Sequence, residues 1–278
     1  MEKERMDFTD YTDPICPFCT DQFKKQPPVR PIPTQRVLEK LDEHLGRNDY
    51  DSAERHLLYW IDEATDGRDK HGMLTVENEL MGLYRKTNRK EKALESVRKA
   101  LNLIDELKLG SAVVAGTTFT NAATVYKAFA MPEESIELFE KAKEIYEKEL
   151  QSDDPRLGGL YNNLGLTLTD LKRFDEAEEY YNKAINVMSN NKNGELEIAI
   201  TYLNLCDLNE AKLGSEQSEK IIDEYIEKAY ELLNRDYLPR NGYYAFVCEK
   251  CAPTFGYFGR FLYQKELSDR ARCIYERN

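Results

Sequence analysis

The sequence predicts an all-α fold, a right-handed superhelical solenoid of about six helix pairs. Three observations carry this prediction: apolar stripes of helical spacing recur about every 42 residues, strand-like alternation is almost absent, and helix start signals precede the stripes. Each stripe is a small residue, a large residue four places later and often an alanine three places after that. The best examples begin at Ala93, Ser135 and Ala177, and weaker ones at Ala53, Ile222 and Ala271.

A preceding helix is predicted about twelve residues before each stripe. Its centre falls at Leu41, Met81, Ala123, Gly165, Cys206 and Gly259. The later centres are small, which indicates that the two helices of a pair cross closely there.

Start and stop signals agree with these helices. Asp154 and Pro155 in "SDDPRLGG" predict an N-cap and the first helical position. Pro132 with two following glutamates predicts another helix start, because acidic residues favour the positive end of the helix dipole. Pro253 predicts a kink or break near the end of the chain.

The stretch "LYNNLGLTLTDLKRFDEAEEYYNKAINVM" contains Gly165, Phe174, Ala177, Tyr181 and Ala184 at the spacing of a tetratricopeptide repeat. The sequence resembles that family over residues 34–278, with degenerate first and last repeats and an aromatic-rich C-terminal cap. The period of 42 exceeds the family's usual 34, so longer helices are expected. It is similar to kinesin light chains and to Gram-positive peptide-pheromone receptors, but shows no N-terminal DNA-binding or phosphatase-contacting helical domain.

Composition excludes several classes of partner and chemistry. The net charge is −12 and basic residues form no long cluster, so neither nucleic acid nor an anionic membrane is expected as a partner. The start of the sequence is polar and acidic, which favours a cytoplasmic protein. No phosphate-binding loop, dinucleotide fingerprint or nucleophile elbow occurs, so no enzyme is predicted.

Asparagines recur on the predicted first helices. Asn121, Asn163 and Asn204 each lie two residues before the predicted centre of their own helix. Asn78 and Asn162 each lie three residues before the centre of theirs. An amide both donates and accepts, so it can bond the backbone of an extended peptide whatever its side chains. The resemblance implies this peptide-binding role. Solvated asparagines, or asparagines bonded to a neighbouring repeat, are the alternatives.

Three cations are also candidate groove residues. Arg85 and Lys127 fall in the N-terminal half of the array and Arg260 near its C-terminal end. They could bind acidic side chains or a terminal carboxylate, although a solvated surface is the alternative reading. The aromatic-rich region 243–263 predicts a cap, a partner site or a dimer contact.

Two CxxC pairs stand outside this pattern: Cys16 with Cys19, and Cys248 with Cys251. Redox chemistry is not expected, because a thioredoxin-type pair needs a strand before it. Zinc commonly takes two such pairs, and the proline-rich tail could extend far enough to bring them together. Zinc is thus the one cofactor considered, and incidental cysteines are the alternative.

These patterns predict a non-catalytic module that binds a protein or an extended peptide in its concave groove. A peptide-responsive regulator and a dimerising scaffold, hence a homodimer, are the alternatives. Residues 1–33 are predicted to be an extended tail tethered beside the groove, which makes the tail a candidate internal ligand.

Overall fold

The computed structural model describes residues 29–277, and within that range the chain forms twelve α-helices. They are α1 (Thr34–Gly46), α2 (Tyr50–Gly67), α3 (Lys70–Lys86), α4 (Lys90–Glu106), α5 (Val113–Ala128), α6 (Pro132–Glu149), α7 (Pro155–Asp170), α8 (Phe174–Met188), α9 (Glu195–Leu213), α10 (Ser215–Leu233), α11 (Gly242–Tyr257) and α12 (Phe261–Tyr275). The predicted start at Asp154 is confirmed, since its side chain accepts the N–H of Arg156.

Consecutive helices form six pairs that stack into a solenoid, as the sequence predicts. The first helices of neighbouring pairs pack on one another from α3 to α11, and each second helix from α2 to α8 also contacts the next first helix. The first helices therefore form one layer and the second helices another. In the part of the chain that the structure describes, every helix falls short of the length and apolarity that a membrane crossing requires.

Small residues at the predicted centres allow the two helices of a pair to cross closely. Gly165 of α7 faces the ring of Tyr181 of α8, and a Cβ at Gly165 would lie 2.6 Å from Tyr181 Cε1. Ala123 of α5 is fully buried, and its carbonyl accepts the Ser135 hydroxyl at 2.9 Å. Cys206 is fully buried too, which confirms it as a packing residue.

One turn type joins the helices of five pairs. Each turn has three residues and a positive φ at the middle one, namely Asn48, Asn88, Ala130, Lys172 or Gly259. The residue after it donates its N–H to a carbonyl five residues earlier, as Arg173 does to Leu168 at 2.8 Å and Arg260 does to Phe255 at 2.8 Å. This bond satisfies a carbonyl at the helix end.

The prediction that Gly259 lies at the centre of the last pair's first helix is wrong. Gly259 is the turn residue, with φ +77°, between the end of α11 and the start of α12 at Phe261. Since Phe174 starts α8 in the same way, the residue equivalent to Gly165 in the last pair is Ala252.

Pro253 lies inside α11, and the helix continues through it to Tyr257. The expected break does not occur at this position.

Residues 29–33, the last part of the predicted tail, precede α1 and contact the array. Arg30 donates its N–H to the Gly67 carbonyl at 2.9 Å. Ile32 donates its N–H to Asp69 Oδ2 at 2.8 Å, and its side chain is buried. Cys16 and Cys19 lie outside the described residues, so docking of the tail in the groove stays a prediction.

Candidate functional site

The candidate site is the face of the first helices that is turned away from their pair partners, here called the inner face. Because these helices pack side by side, equivalent residues form rows along the array. Row one contains Asn78 of α3, Thr120 of α5 and Asn162 of α7. Row two contains the three predicted asparagines, one each on α5, α7 and α9.

Two of the row-two asparagines bond to row one of the preceding helix. Asn121 Nδ2 donates to Asn78 Oδ1 at 2.9 Å, and Asn204 Nδ2 donates to Asn162 Oδ1 at 3.0 Å. Asn162 is buried and also accepts the Thr201 hydroxyl at 3.1 Å. These amides therefore link α3 to α5 and α7 to α9, the neighbour-bonding role left open by the sequence.

The interface between α5 and α7 lacks this amide bond. Row one has Thr120 there, and its hydroxyl donates to the Gly116 carbonyl of its own helix at 2.9 Å. Asn163 Nδ2 donates instead to Gly159 O of its own helix at 3.0 Å. The predicted three-asparagine ladder thus consists of two bonded pairs with a gap between them.

Thr120→Asn is expected to close this gap and raise the free energy of unfolding by about 0.5–1.5 kcal/mol, the net value of one intramolecular hydrogen bond. Threonine and asparagine have similar helix propensities, so the backbone contributes little. Urea unfolding followed by circular dichroism measures the change. Thr124→Asn is the matched control, one turn later on α5, and should be near neutral. Equal effects of the two substitutions would contradict this account of the amide rows.

Each row-two asparagine keeps an acceptor. Within residues 29–277, Oδ1 of Asn121, Asn163 and Asn204 accepts no hydrogen bond, and all three residues are half-buried. An extended peptide could donate backbone N–H groups to these oxygens. Asn163 is the best of the three for a mutational test, because its side-chain amide forms no bond between repeats.

The predicted cations have different surroundings. Lys127 Nζ lies 3.4 Å from Asp170 Oδ2 of α7, so its charge is partly compensated across the inner face. Arg85 is exposed near the end of α3. Arg260 is the N-cap residue of α12 and lies 2.6 Å from Asp223 of α10, so it is not a first-helix residue. The sequence analysis placed Gly259 at the centre of a first helix, and this wrong placement put the neighbouring Arg260 on that helix too.

Sequence reasoning missed three carboxylates on α9: Glu197, Asp207 and Glu210. Neighbouring protein removes part of the hydration of Asp207, whose side chain is still exposed, and Glu210 adds negative charge nearby; together they raise the pKa of Asp207 to about 6. Burial also raises the pKa of Glu197, although Lys250 opposes the shift. Asp207 directly follows the small residue Cys206, so the repeat register alone would have indicated its position.

Aromatic side chains of α11 border these carboxylates. Tyr257 donates its hydroxyl to Glu210 Oε2 at 2.9 Å, and Tyr243 donates to Glu197 Oε1. Phe246 stacks beside Tyr243 with ring centroids 6.3 Å apart. The C-terminal part of the inner face is therefore both acidic and aromatic.

The cysteines of α11 lie in the core of the last pair. Cys248 and Cys251 are both buried, and burial raises the pKa of each thiol, that of Cys251 to about 12. Metal ligation needs thiolates, so this setting fits a packing role better than a zinc site. Among residues 29–277 no cluster of three or more potential ligands occurs. A joint site with Cys16 and Cys19 stays a prediction, since both lie outside the described range.

One protein-family model matches part of the chain. Residues 114–190, from α5 to just beyond α8, match the family model described as tetratricopeptide repeat. A comparison with curated protein sequences finds no match.

Comparison with solved structures agrees at the level of the fold. The chain is similar to the kinesin light chain TPR-like repeats crystallised from Podosopora anserina, with 16% identity, 72% of this chain and 94% of that chain covered, and a TM-score of 0.52. It is also similar to Pseudomonas aeruginosa pilF, with 15% identity, 87% of this chain and 92% of that chain covered, and a TM-score of 0.51.

Proposed function

Since residues 114–190 are tetratricopeptide repeats within a helical-repeat solenoid, we propose that this protein is a non-catalytic module that binds an extended peptide on its inner face. Repeat solenoids of this kind are generally protein-interaction modules. They offer a long surface of side chains held at fixed spacing by rigid helices.

The observation that carries the proposal is the row of acceptor oxygens on Asn121, Asn163 and Asn204. Equivalent positions on successive helices hold the same amide, each half-buried and each with an unused Oδ1. Bonds within the array fix two of these side chains before any ligand arrives. Preorganised groups bind at a lower entropic cost than mobile ones.

A peptide selected from a random twelve-residue phage library against the immobilised protein provides the test ligand. Asn163→Ala is expected to weaken binding of that peptide about fivefold, the effect of losing one hydrogen bond of ~1 kcal/mol. Isothermal titration calorimetry measures the dissociation constants. Asn163 is preferred over Asn121 and Asn204 because its substitution removes no inter-repeat bond.

The matched control is Asn182→Ala, at an exposed position of α8 outside the inner face. It should leave the affinity unchanged. If both substitutions have the same effect on the selected peptide, or if no peptide is selected, the proposed inner-face site is wrong.

A dimerising scaffold is the second candidate, favoured by Phe261 and Leu262 at the start of α12. These side chains are 70% and 81% exposed on the last helix of the described chain. Sedimentation equilibrium of the wild type and of Phe261→Ser/Leu262→Ser tests it. A dimer that the double substitution dissociates would support the scaffold, whereas a monomeric wild type would exclude it.

A further inference from the structure

The inner-facing side of α11 is an unpartnered aromatic surface. Tyr243, Phe246 and Tyr257 are 47%, 49% and 69% exposed and follow helical spacing along one side of α11. The opposite side, which includes Tyr244 and Phe255, is fully buried in the last core cluster. Exposed aromatic rings grouped on one helix face are typical of interaction surfaces.

The neighbouring face of α9 supplies negative charge to this surface. Tyr243 and Tyr257 donate their hydroxyls to Glu197 and Glu210, so each phenol is held against a carboxylate. Asp207 is exposed and forms no ion pair with any residue from 29 to 277. Lys250 lies on the same side of α11 and partly offsets the charge of Glu197.

At other aromatic side chains of the protein, lysines of the same chain lie over the ring faces. Lys183 Nζ lies 4.8 Å from the ring centroid of Tyr180, and Lys228 Nζ lies 5.3 Å from that of Tyr225. Within the described range, no lysine or arginine lies over the rings of the α11 surface. These rings therefore offer free faces to a cation from outside.

We propose that the α9–α11 end of the inner face binds arginine side chains of an extended peptide. A guanidinium stacks on aromatic faces and bonds carboxylates with its edge, so the free rings and the adjacent acids fit its two modes of recognition. This inference rests on the proposed function, because it assigns one end of the same inner face to one class of ligand residue.

The probe is a fluorescein-labelled twelve-residue glycine–serine peptide that carries two arginines five residues apart. In the reference peptide both arginines are replaced by citrulline, which keeps the shape and removes the charge. Fluorescence anisotropy in 150 mM NaCl measures both dissociation constants. The arginine peptide is expected to bind at least about tenfold more tightly than the citrulline peptide, because a cation on aromatic rings and beside carboxylates is recognised by charge.

Phe246→Ala and Tyr257→Ala are each expected to weaken binding of the arginine peptide about three- to tenfold. Tyr59→Ala is the matched control, because Tyr59 is 55% exposed but lies on α2, at the other end of the array. Asp207→Asn should also weaken binding, whereas Glu219→Gln, an exposed acid on α10, should not. Circular dichroism checks that every variant keeps its helix content.

Three outcomes would overturn the inference: no binding of the arginine peptide up to 1 mM, equal binding of the two peptides, or equal effects of Phe246→Ala and Tyr59→Ala. If the library-selected peptide still responds to Asn163→Ala, the proposed function stands and only the arginine assignment fails. If the selected peptide does not respond to Asn163→Ala either, both proposals fail.

Discussion

Gly165→Ala is expected to lower the free energy of unfolding by about 1–2 kcal/mol. The added Cβ would lie 2.6 Å from Cε1 of Tyr181, a ring that is fully buried between α7 and α8. Overpacking of this kind costs ~1–3 kcal/mol, which exceeds the gain of ~1 kcal/mol in helix propensity from replacing glycine. Urea unfolding monitored by circular dichroism measures the change.

Gly159→Ala on the same helix is the matched control. Nothing lies within 4 Å of a Cβ at Gly159, so only the gain in helix propensity remains. This variant should be more stable than the wild type by about 0.5–1 kcal/mol. Gly165→Ala combined with Tyr181→Leu should cost less than the sum of the two single changes, because the smaller side chain makes room for the methyl group. Equal stability of Gly165→Ala and Gly159→Ala would show that the helices can separate without cost.

Glu77→Gln is expected to raise the free energy of unfolding at pH 7 by about 1–3 kcal/mol, because glutamine removes a buried and weakly compensated negative charge. Glu77 of α3 is 2% exposed, and its Oε2 has no hydrogen-bond partner in the described structure. Its Oε1 lies 3.9 Å from Lys99 Nζ, a distance that compensates the charge weakly. Glutamine keeps the shape of the side chain and removes the buried charge.

The gain from Glu77→Gln should depend on pH. Burial raises the pKa of Glu77 above its ordinary value, so the folded state holds the proton more tightly than the unfolded state. Protonated Glu77 therefore contributes to stability below the pKa that its carboxyl has in the unfolded chain. This contribution is lost as the pH rises through the higher pKa of the carboxyl in the folded protein. Glu77→Gln should therefore stabilise strongly at pH 7 and little at pH 4.

Glu95→Gln is the control for this effect. Glu95 pairs with the same Lys99 at 2.8 Å, but both side chains are 53% exposed. Exposed pairs contribute ~0–1 kcal/mol, so this substitution should be neutral or slightly destabilising at both pH values. A Glu77→Gln gain that is the same at pH 4 and pH 7 would contradict a buried charge as its cause.

The sequence alone was sufficient for the all-α class, the six helix pairs and most of the helix positions. The signals are strong because burial of one helix face requires apolar residues at helical spacing, and a stacked array repeats that requirement. Gly165, Ala123 and Cys206 are recognisable for the same reason, since a close crossing admits only small side chains. The error at Gly259 arose where the last repeat departs from the pattern and a glycine suits a turn as well as a crossing.

The identity of the asparagine rows was also visible in the sequence, but their bonding was not. Asn121 and Asn204 bond to neighbouring repeats while Asn163 does not, and the difference depends on one residue of another repeat, Thr120. Only side-chain distances across the array reveal such pairing.

The sequence by itself determined the helices and their order, because helix formation and amphipathicity are local properties of the chain. The tertiary structure decided which polar groups are used within the protein and which remain free. It pairs Lys127 with Asp170 across two repeats and buries Cys248 with Cys251 in the last core cluster. It also brings the aromatic rings of α11 beside the acids of α9. Lys127 and Asp170, like the bonded residues of α9 and α11, are some 43 to 47 positions apart in the sequence, and only stacking of one repeat on the next makes them neighbours.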